Sequence, residues 1–122
     1  MRARRVQRPR VRRLTADAQA GFTHVPAVDI ERVRLIVVPV LTPGIVAMTV
    51  GRFVFLRRGH EADVGLIAHE LVHGQQWREL GAPRFLYRYL GAYLRGRASG
   101  LGHWDAYRAI PFEAEARTRS GH

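Results

Sequence analysis

Two histidines and a glutamate lie within five residues near the middle of the chain, in the sequence His69-Glu70-Leu71-Val72-His73. On an α-helix, side chains four residues apart project from the same face, so both imidazoles can reach one metal ion. Glu70 follows the first histidine, and its carboxylate then lies beside the metal, where it can take a proton from metal-bound water. The spacing therefore predicts a hydrolytic metal site, with His69 and His73 as ligands and Glu70 as general base.

The metal and its third ligand follow from the side chains that remain. The chain has no cysteine, so histidines and carboxylates are its only strong ligands. Two imidazoles, one carboxylate and a water suit Zn²⁺ in an open tetrahedral site, and we expect Zn²⁺ as the cofactor. Glu79 lies six positions after His73, a helical rotation of about 240° that turns it away from the metal. Glu113 and Glu115 are two positions apart, so only one can face the metal, and His103 is a further candidate.

A β-rich region precedes the motif. Residues 32–40 are rich in β-branched side chains and predict a strand. The sequence Thr42-Pro43-Gly44 predicts a turn, because proline presets φ and glycine supplies the unusual backbone position. Residues 45–50 predict a second strand, and residues 52–57 predict a third short strand or a bent continuation of the second.

Helices are expected over the rest of the chain. The motif helix begins near Glu61 or Asp63, is apolar around most of its circumference and therefore buried, and ends at residues 81–83. We predict a second helix over residues 84–95, a helical turn over 103–109 and a last helix that starts at Pro111. The fold class is therefore α+β, with a short antiparallel sheet followed by a buried active-site helix and two to three further helices.

The second helix carries an apolar stripe two residues wide that repeats every four positions. We interpret this stripe as part of the core and not as a membrane-surface helix. Its members are Phe85, Leu86, Tyr89, Leu90, Tyr93 and Leu94.

Basic residues concentrate at the N-terminus. All 20 basic residues are arginine, and removing the seven in residues 1–13 from the net charge of +10 leaves +3. We expect residues 1–13 to be a disordered basic arm and residues 14–122 a single domain, with weak non-specific nucleic-acid contact by residues 2–13. No apolar run is long enough for a transmembrane segment and no apolar segment follows the basic start, so we expect a cytoplasmic location.

The motif and the later sequence Pro111-Phe112-Glu113-Ala114-Glu115-Ala116 together resemble the gluzincin metallopeptidases. Members carry HExxH on one helix and a glutamate ligand on a downstream helix, often in an E-x-x-A segment. The chain is most similar to minimal single-domain forms and to small bacterial proteins of the DUF4157-like type with HELxHxxQ. The resemblance covers about residues 45–118 and implies a zincin-like fold.

The resemblance also implies roles for particular residues. It places Glu113 as the third metal ligand beside His69 and His73, and Ala116 as a small residue that packs near the site. Arg117 stands where the best-known families have an aspartate that supports a histidine ligand from behind. Candidate substitutes for that carboxylate are Asp105, Asp63 and Glu61.

The implied activity is that of a zinc metallopeptidase, a hydrolase that acts on a peptide or protein substrate. Glu70 would pass the water proton to the leaving amine, while Tyr107 or His103 would hydrogen-bond the oxyanion. An edge strand within residues 45–55 would pair with the extended substrate. The alternative is a metal-stabilised, non-catalytic domain that contacts nucleic acid or another partner through its arginine-rich arm.

Overall fold

The β-branched segments before the motif form short strands, and most of the remaining chain is helical. The computed structural model describes residues 11–122. The strands are β1 (Val11–Arg12), β2 (Arg34–Val38), β3 (Ala47–Val50) and β4 (Phe53–Arg57). The helices are α1 (Ala16–Ala20), α2 (Ala27–Arg32), α3 (Val64–Leu80), α4 (Ala82–Ala98), α5 (His103–Ala109) and α6 (Pro111–Ser120).

The strands form one mixed sheet with the order β1-β2-β4-β3. A hairpin joins β3 to β4 through a two-residue turn, in which Gly51 has a φ of 63°. The chain crosses to the far edge of the sheet before this hairpin returns, so β4 lies between β2 and β3 and runs parallel to β2. The α+β class is thereby confirmed, but the sheet is mixed and not purely antiparallel. Within the described residues, β3 is an edge strand.

The core lies between this sheet and α3. On β4, Val54 and Leu56 are fully buried and alternate with more exposed neighbours, as expected for a strand with one covered face. Leu71 and Val72 of α3 pack in the same cluster, together with Ala116 of α6. Helix α3 therefore has the sheet on one side and α6 on another, which explains why it is apolar around most of its circumference.

The ends of α3 follow the sequence signals. The Asp63 carboxylate accepts a hydrogen bond from the Leu66 amide and caps the N-terminus. Gly81, with a φ of 79°, ends the helix, and α4 begins at the next residue. Near this end, Arg78 makes a two-pronged ion pair with Asp29 of α2, at 2.6 Å and 2.9 Å. This pair attaches α2 to the motif helix.

Helix α4 corrects the prediction that its whole apolar stripe is core. The aromatic half of the stripe faces the protein: Phe85 is buried, and Tyr89 and Tyr93 are half-buried. The leucine half faces outward, because each leucine follows an aromatic residue and is rotated from it by about 100°. The exposed fractions are 45% for Leu86, 54% for Leu90 and 62% for Leu94.

The expected N-terminal arm is described only in part. Val11 and Arg12 were assigned to the arm, but they form β1 and pair antiparallel with β2, because β2 offers them a free edge. Residues 1–10 of the arm, which include most of the segment predicted to contact nucleic acid, lie outside the described residues. Over residues 11–122, no helix combines the length and the apolar character that crossing a membrane requires.

Candidate metal centre

Helices α3 and α6 bring the two motif histidines and Glu113 together. The Oε1 atom of Glu113 lies 3.1 Å from Nε2 of His69 and 3.0 Å from Nε2 of His73. The three ligand atoms lie within 4.8 Å of one another. Glu113 is only 2% exposed, whereas the side chain of His69 is 12% exposed and borders the solvent. The three side chains form a group that could hold a metal ion.

The hydrogen bonds made by the Nδ1 atoms of the two histidines determine which ring nitrogen carries the proton, and therefore whether the Nε2 atoms face Glu113 with a proton or with a lone pair. Nδ1 of His69 lies 2.7 Å from the backbone carbonyl oxygen of His122, which can only accept, so this Nδ1 carries a proton. Nδ1 of His73 lies 2.8 Å from Oε1 of Gln76. The amide nitrogen of Gln76 donates to the Phe112 carbonyl and to Glu115, which fixes the amide orientation and makes His73 Nδ1 a donor too.

Both neutral imidazoles would therefore aim an Nε2 lone pair at a carboxylate oxygen about 3 Å away. Three electron-pair donors that face one another in a buried site repel, unless a positive charge lies among them. A bound metal cation would supply that charge, and so would a proton on an imidazole. Ligand atoms of a tetrahedral zinc site are about 3.3 Å apart, given bonds of about 2.0–2.1 Å, so this donor set fits a small divalent cation.

The pKa values of His73 and Glu113 without a metal also indicate that this group favours an added positive charge. Burial by itself lowers the pKa of His73, but the hydrogen bond and charge of Glu113 outweigh burial, so the pKa is raised overall. Burial raises the pKa of Glu113, but the side chains of His69 and His73 beside it hold this pKa well below its usual range. Glu113 is therefore ionised at neutral pH and available as a ligand.

Tyr89 of α4 holds the second oxygen of Glu113. Its hydroxyl donates to Oε2 at 2.9 Å. Burial, followed by the charge of Glu113, raises the pKa of Tyr89, so the phenol keeps its proton. Rings from three helices fix this tyrosine, because Trp77, Phe85 and Phe112 pack in one cluster with it. The carboxylate thus presents Oε1 to the histidines and Oε2 to the tyrosine.

The groups behind the histidines differ from those expected. Asp63 caps α3 and Glu61 accepts from the Gly59 amide, so neither supports a histidine. Asp105 is exposed. Gln76 and the His122 carbonyl occupy these places instead. Gln76 was detectable in principle, since it lies three positions after His73 on the same helix.

Glu70 points from α3 toward β3. The Thr49 hydroxyl donates to its Oε2 atom at 2.6 Å. Residues alternate along β3, so Thr49 faces α3 while Met48 and Val50 face outward. Sequence reasoning did not identify Thr49, because a threonine in a strand carries no signal of such a contact. The edge strand therefore orients the predicted general base.

A cleft of about 320 Å³ opens beside His69. His69 and Glu70 form part of its wall, as does the start of the edge strand at Ala47. Gly44, with a φ of 83°, allows the Trp104 ring to approach closely, since a Cβ there would lie 2.7 Å from it. The cleft is lined by Gly44, Ile45, Val46, Ala47, Asp63, Leu66, His69, Glu70, Trp104, Tyr107 and His122.

The structure brings some of the predicted residues to this cleft and not others. Tyr107 lines it, and burial together with the charges of Glu113 and Glu70 raises the pKa of Tyr107, so it is a hydrogen-bond donor. His103 is exposed, bonds to the Tyr93 hydroxyl at 2.8 Å and does not line the cleft.

The other two ligand candidates have different partners. Glu79 accepts a hydrogen bond from Gln75 on the outer surface of α3, as its helical position predicted. Glu115 accepts from Gln76 and so contacts the site only through that amide. Ala116 is fully buried, and Arg117 donates to the Arg108 carbonyl. Glu113 is thus the carboxylate that the fold brings to the histidines.

Comparisons with protein-family models, curated proteins and solved structures found no match to this chain. The resemblance to gluzincins therefore stays a prediction based on the motif and on the Glu113 segment.

Proposed function

We propose that this chain is a zinc-dependent metallopeptidase that hydrolyses peptide bonds. The convergence of two imidazole Nε2 atoms and one carboxylate oxygen, each aimed at the others, carries this proposal. The cleft supports it further, since Glu70 lies in its wall directly beside His69. Nitrogen and oxygen donors in this number favour zinc with one position left for water or substrate.

The chemistry divides between the metal and the side chains. A divalent cation bound here supplies Lewis acidity, which polarises a carbonyl and lowers the pKa of water. Glu70 accepts the water proton and delivers it to the leaving amine. Because the Thr49 hydroxyl engages Oε2, proton exchange takes place at Oε1 of Glu70. The protonated Tyr107 hydroxyl donates to the oxyanion that develops on the scissile carbonyl.

The edge strand suggests how a substrate would lie. Within the described residues, β3 pairs with β4 along one side only, and Ala47 at its start lines the cleft. An extended peptide can add to such an edge through main-chain hydrogen bonds, which bind many sequences. We therefore expect the substrate to be an unfolded or flexible polypeptide segment.

Replacing Glu70 with glutamine tests the mechanism. The substitution removes the base and keeps the shape, so we expect zinc content to be unchanged and the cleavage rate to fall by about a thousandfold. Cleavage is measured on denatured casein by mass spectrometry, and zinc by elemental analysis. Glu79→Gln is the matched control, because Glu79 is on the same helix but accepts its hydrogen bond from Gln75 on the outer surface, and it should retain both properties.

Two results would overturn the proposal. Glu70→Gln could cleave as fast as the parent protein, which would remove the mechanism. Alternatively, the parent could bind zinc and cleave no polypeptide, which would favour the metal-stabilised binding domain instead.

A further inference from the structure

The exposed leucines of α4 have no role in the fold or in the metal centre. Leu86, Leu90 and Leu94 recur every four residues and form one line about 12 Å long on the helix surface. They are 45%, 54% and 62% exposed, and nothing in residues 11–122 buries them. Isolated exposed leucines are ordinary, but three in line on one helix form a contiguous apolar surface, which usually marks an interaction site.

The charges of α4 indicate the kind of partner. The helix contains four arginines and no acidic residue. Successive residues are rotated by about 100°, so Arg84, Arg88 and Arg95 lie on one side of the outward-facing arc and the leucines on the other. Tyr87 lies between the two and is 82% exposed. The outward face therefore combines leucines, an exposed tyrosine and arginines whose charge no acidic residue of α4 offsets.

We infer that this face of α4 docks on the surface of an anionic lipid bilayer. The leucines would enter the boundary between head groups and acyl chains, while the arginine stems let the guanidinium groups reach lipid phosphates. Tyrosine is enriched at the same depth, because its ring is apolar and its hydroxyl is polar. A helix of this kind lies in the plane of the interface and does not cross the bilayer.

A second copy of the chain fits this face less well. Symmetric packing of α4 against α4 would bring two helices with four arginines each together, with no acid on either helix to offset the repulsion. Nucleic acid would use the arginines but would leave the leucines in water. An anionic bilayer satisfies both the leucines and the arginines.

A vesicle-binding experiment separates the leucines from the charges. The full chain is sedimented with vesicles of phosphatidylcholine and with vesicles that contain phosphatidylglycerol in addition. We expect binding only to the anionic vesicles, and binding at least about tenfold weaker when Leu86, Leu90 and Leu94 are replaced together by glutamine. This triple variant keeps every charge of the protein, including those of the N-terminal arginines, so it isolates the apolar contribution.

A matched control replaces three exposed valines outside α4, Val28, Val40 and Val64, with glutamine. This variant should bind vesicles as the parent does. If the triple leucine variant is destabilised in urea, the single variant Leu90→Gln serves instead, with an expected weakening of about threefold. As a positive signal, Leu90→Trp should show quenching by lipids brominated along the acyl chains.

Three results would overturn the inference. The parent could fail to bind anionic vesicles. The triple leucine variant could bind as tightly as the parent, which would leave charge alone as the cause. Sedimentation without lipid could show a dimer that the triple variant loses while neither protein binds vesicles, which would assign the face to a second copy.

Discussion

Two buried charged groups contact α3, and they differ in how their charges are balanced. At the C-terminal end, Asp29 is paired with Arg78 by two short hydrogen bonds, so the protein itself supplies both charges. Near the middle, the carboxylate of Glu113 faces two imidazoles whose other nitrogens already donate elsewhere. The first group is complete within the described residues, whereas the second needs a proton or a cation from outside. A buried charge alone thus does not indicate a ligand site. A buried carboxylate that faces other electron-pair donors, with no positive charge among them, does.

Arg78→Ala should give the largest effect on folding. It leaves the buried Asp29 carboxylate without its partner, so we expect the free energy of unfolding to fall below that of the parent. Zinc content and zinc affinity should stay at the parent level, because the ion pair does not touch the metal centre. Urea unfolding with and without zinc measures the free energy of unfolding and the stabilisation by zinc. A loss of zinc binding in the folded variant would contradict the view that the ion pair and the metal centre are independent.

Tyr89→Phe should have a smaller and different effect. Removing the hydroxyl releases Oε2 of Glu113, which is held at 2.9 Å, and loosens the ligand. We expect zinc affinity to fall by about tenfold to a hundredfold, and the metal-free protein to lose less stability than it does in Arg78→Ala, because one buried oxygen of Glu113 loses its donor. Competition with a chromogenic chelator measures the affinity.

Tyr87→Phe is the control for this change, because Tyr87 is on the same helix but points to solvent. Equal zinc affinities for Tyr89→Phe and Tyr87→Phe would show that the Tyr89 hydroxyl does not help to hold Glu113 as a ligand.

The pH dependence of protein stability should have opposite signs with and without metal. In the metal-free protein the pKa of His73 is raised above its ordinary value of about 6.5. Its contribution to stability is therefore fully present below pH of about 6.5 and is lost as pH rises through the folded-state pKa. Zinc requires neutral imidazoles, so the stabilisation by zinc should grow over the same interval.

Urea midpoints measured in EDTA and in zinc between about pH 6 and pH 9 test how stability changes with pH in each state. Subtracting the urea midpoints of His73→Gln in EDTA from those of the parent gives the contribution of His73 alone to the pH dependence of stability. A parent midpoint in EDTA that rises relative to His73→Gln over this range would contradict the assignment.

The sequence predicted what depends on local spacing. The motif positions, the Asp63 cap and the end at Gly81 are properties of one helix, and the E-x-x-A resemblance pointed to Glu113. Contacts between distant elements were not predictable in this way. Thr49 reaches Glu70 from the edge strand, and Tyr89 reaches Glu113 from α4, and neither residue type carries a signal of its own.

Two errors have the same physical origin. A β-branched run predicts a strand but not its neighbour, so the parallel pairing of β2 with β4 was missed. A stripe that repeats every four residues predicts a helix face but not which half of a wide stripe is covered. Only the packing of Phe85, Tyr89 and Tyr93 against other elements determines that the leucines beside them face outward.

The central claim is that His69, His73 and Glu113 hold one metal ion. It is tested most directly by the zinc content of the folded protein after incubation with zinc and exhaustive dialysis, compared with that of Glu113→Ala. We predict about one zinc per chain in the parent and in Glu79→Gln, and less than about a tenth of that in Glu113→Ala. Equal zinc contents in the parent and in folded Glu113→Ala, or no zinc in the parent, would contradict the claim.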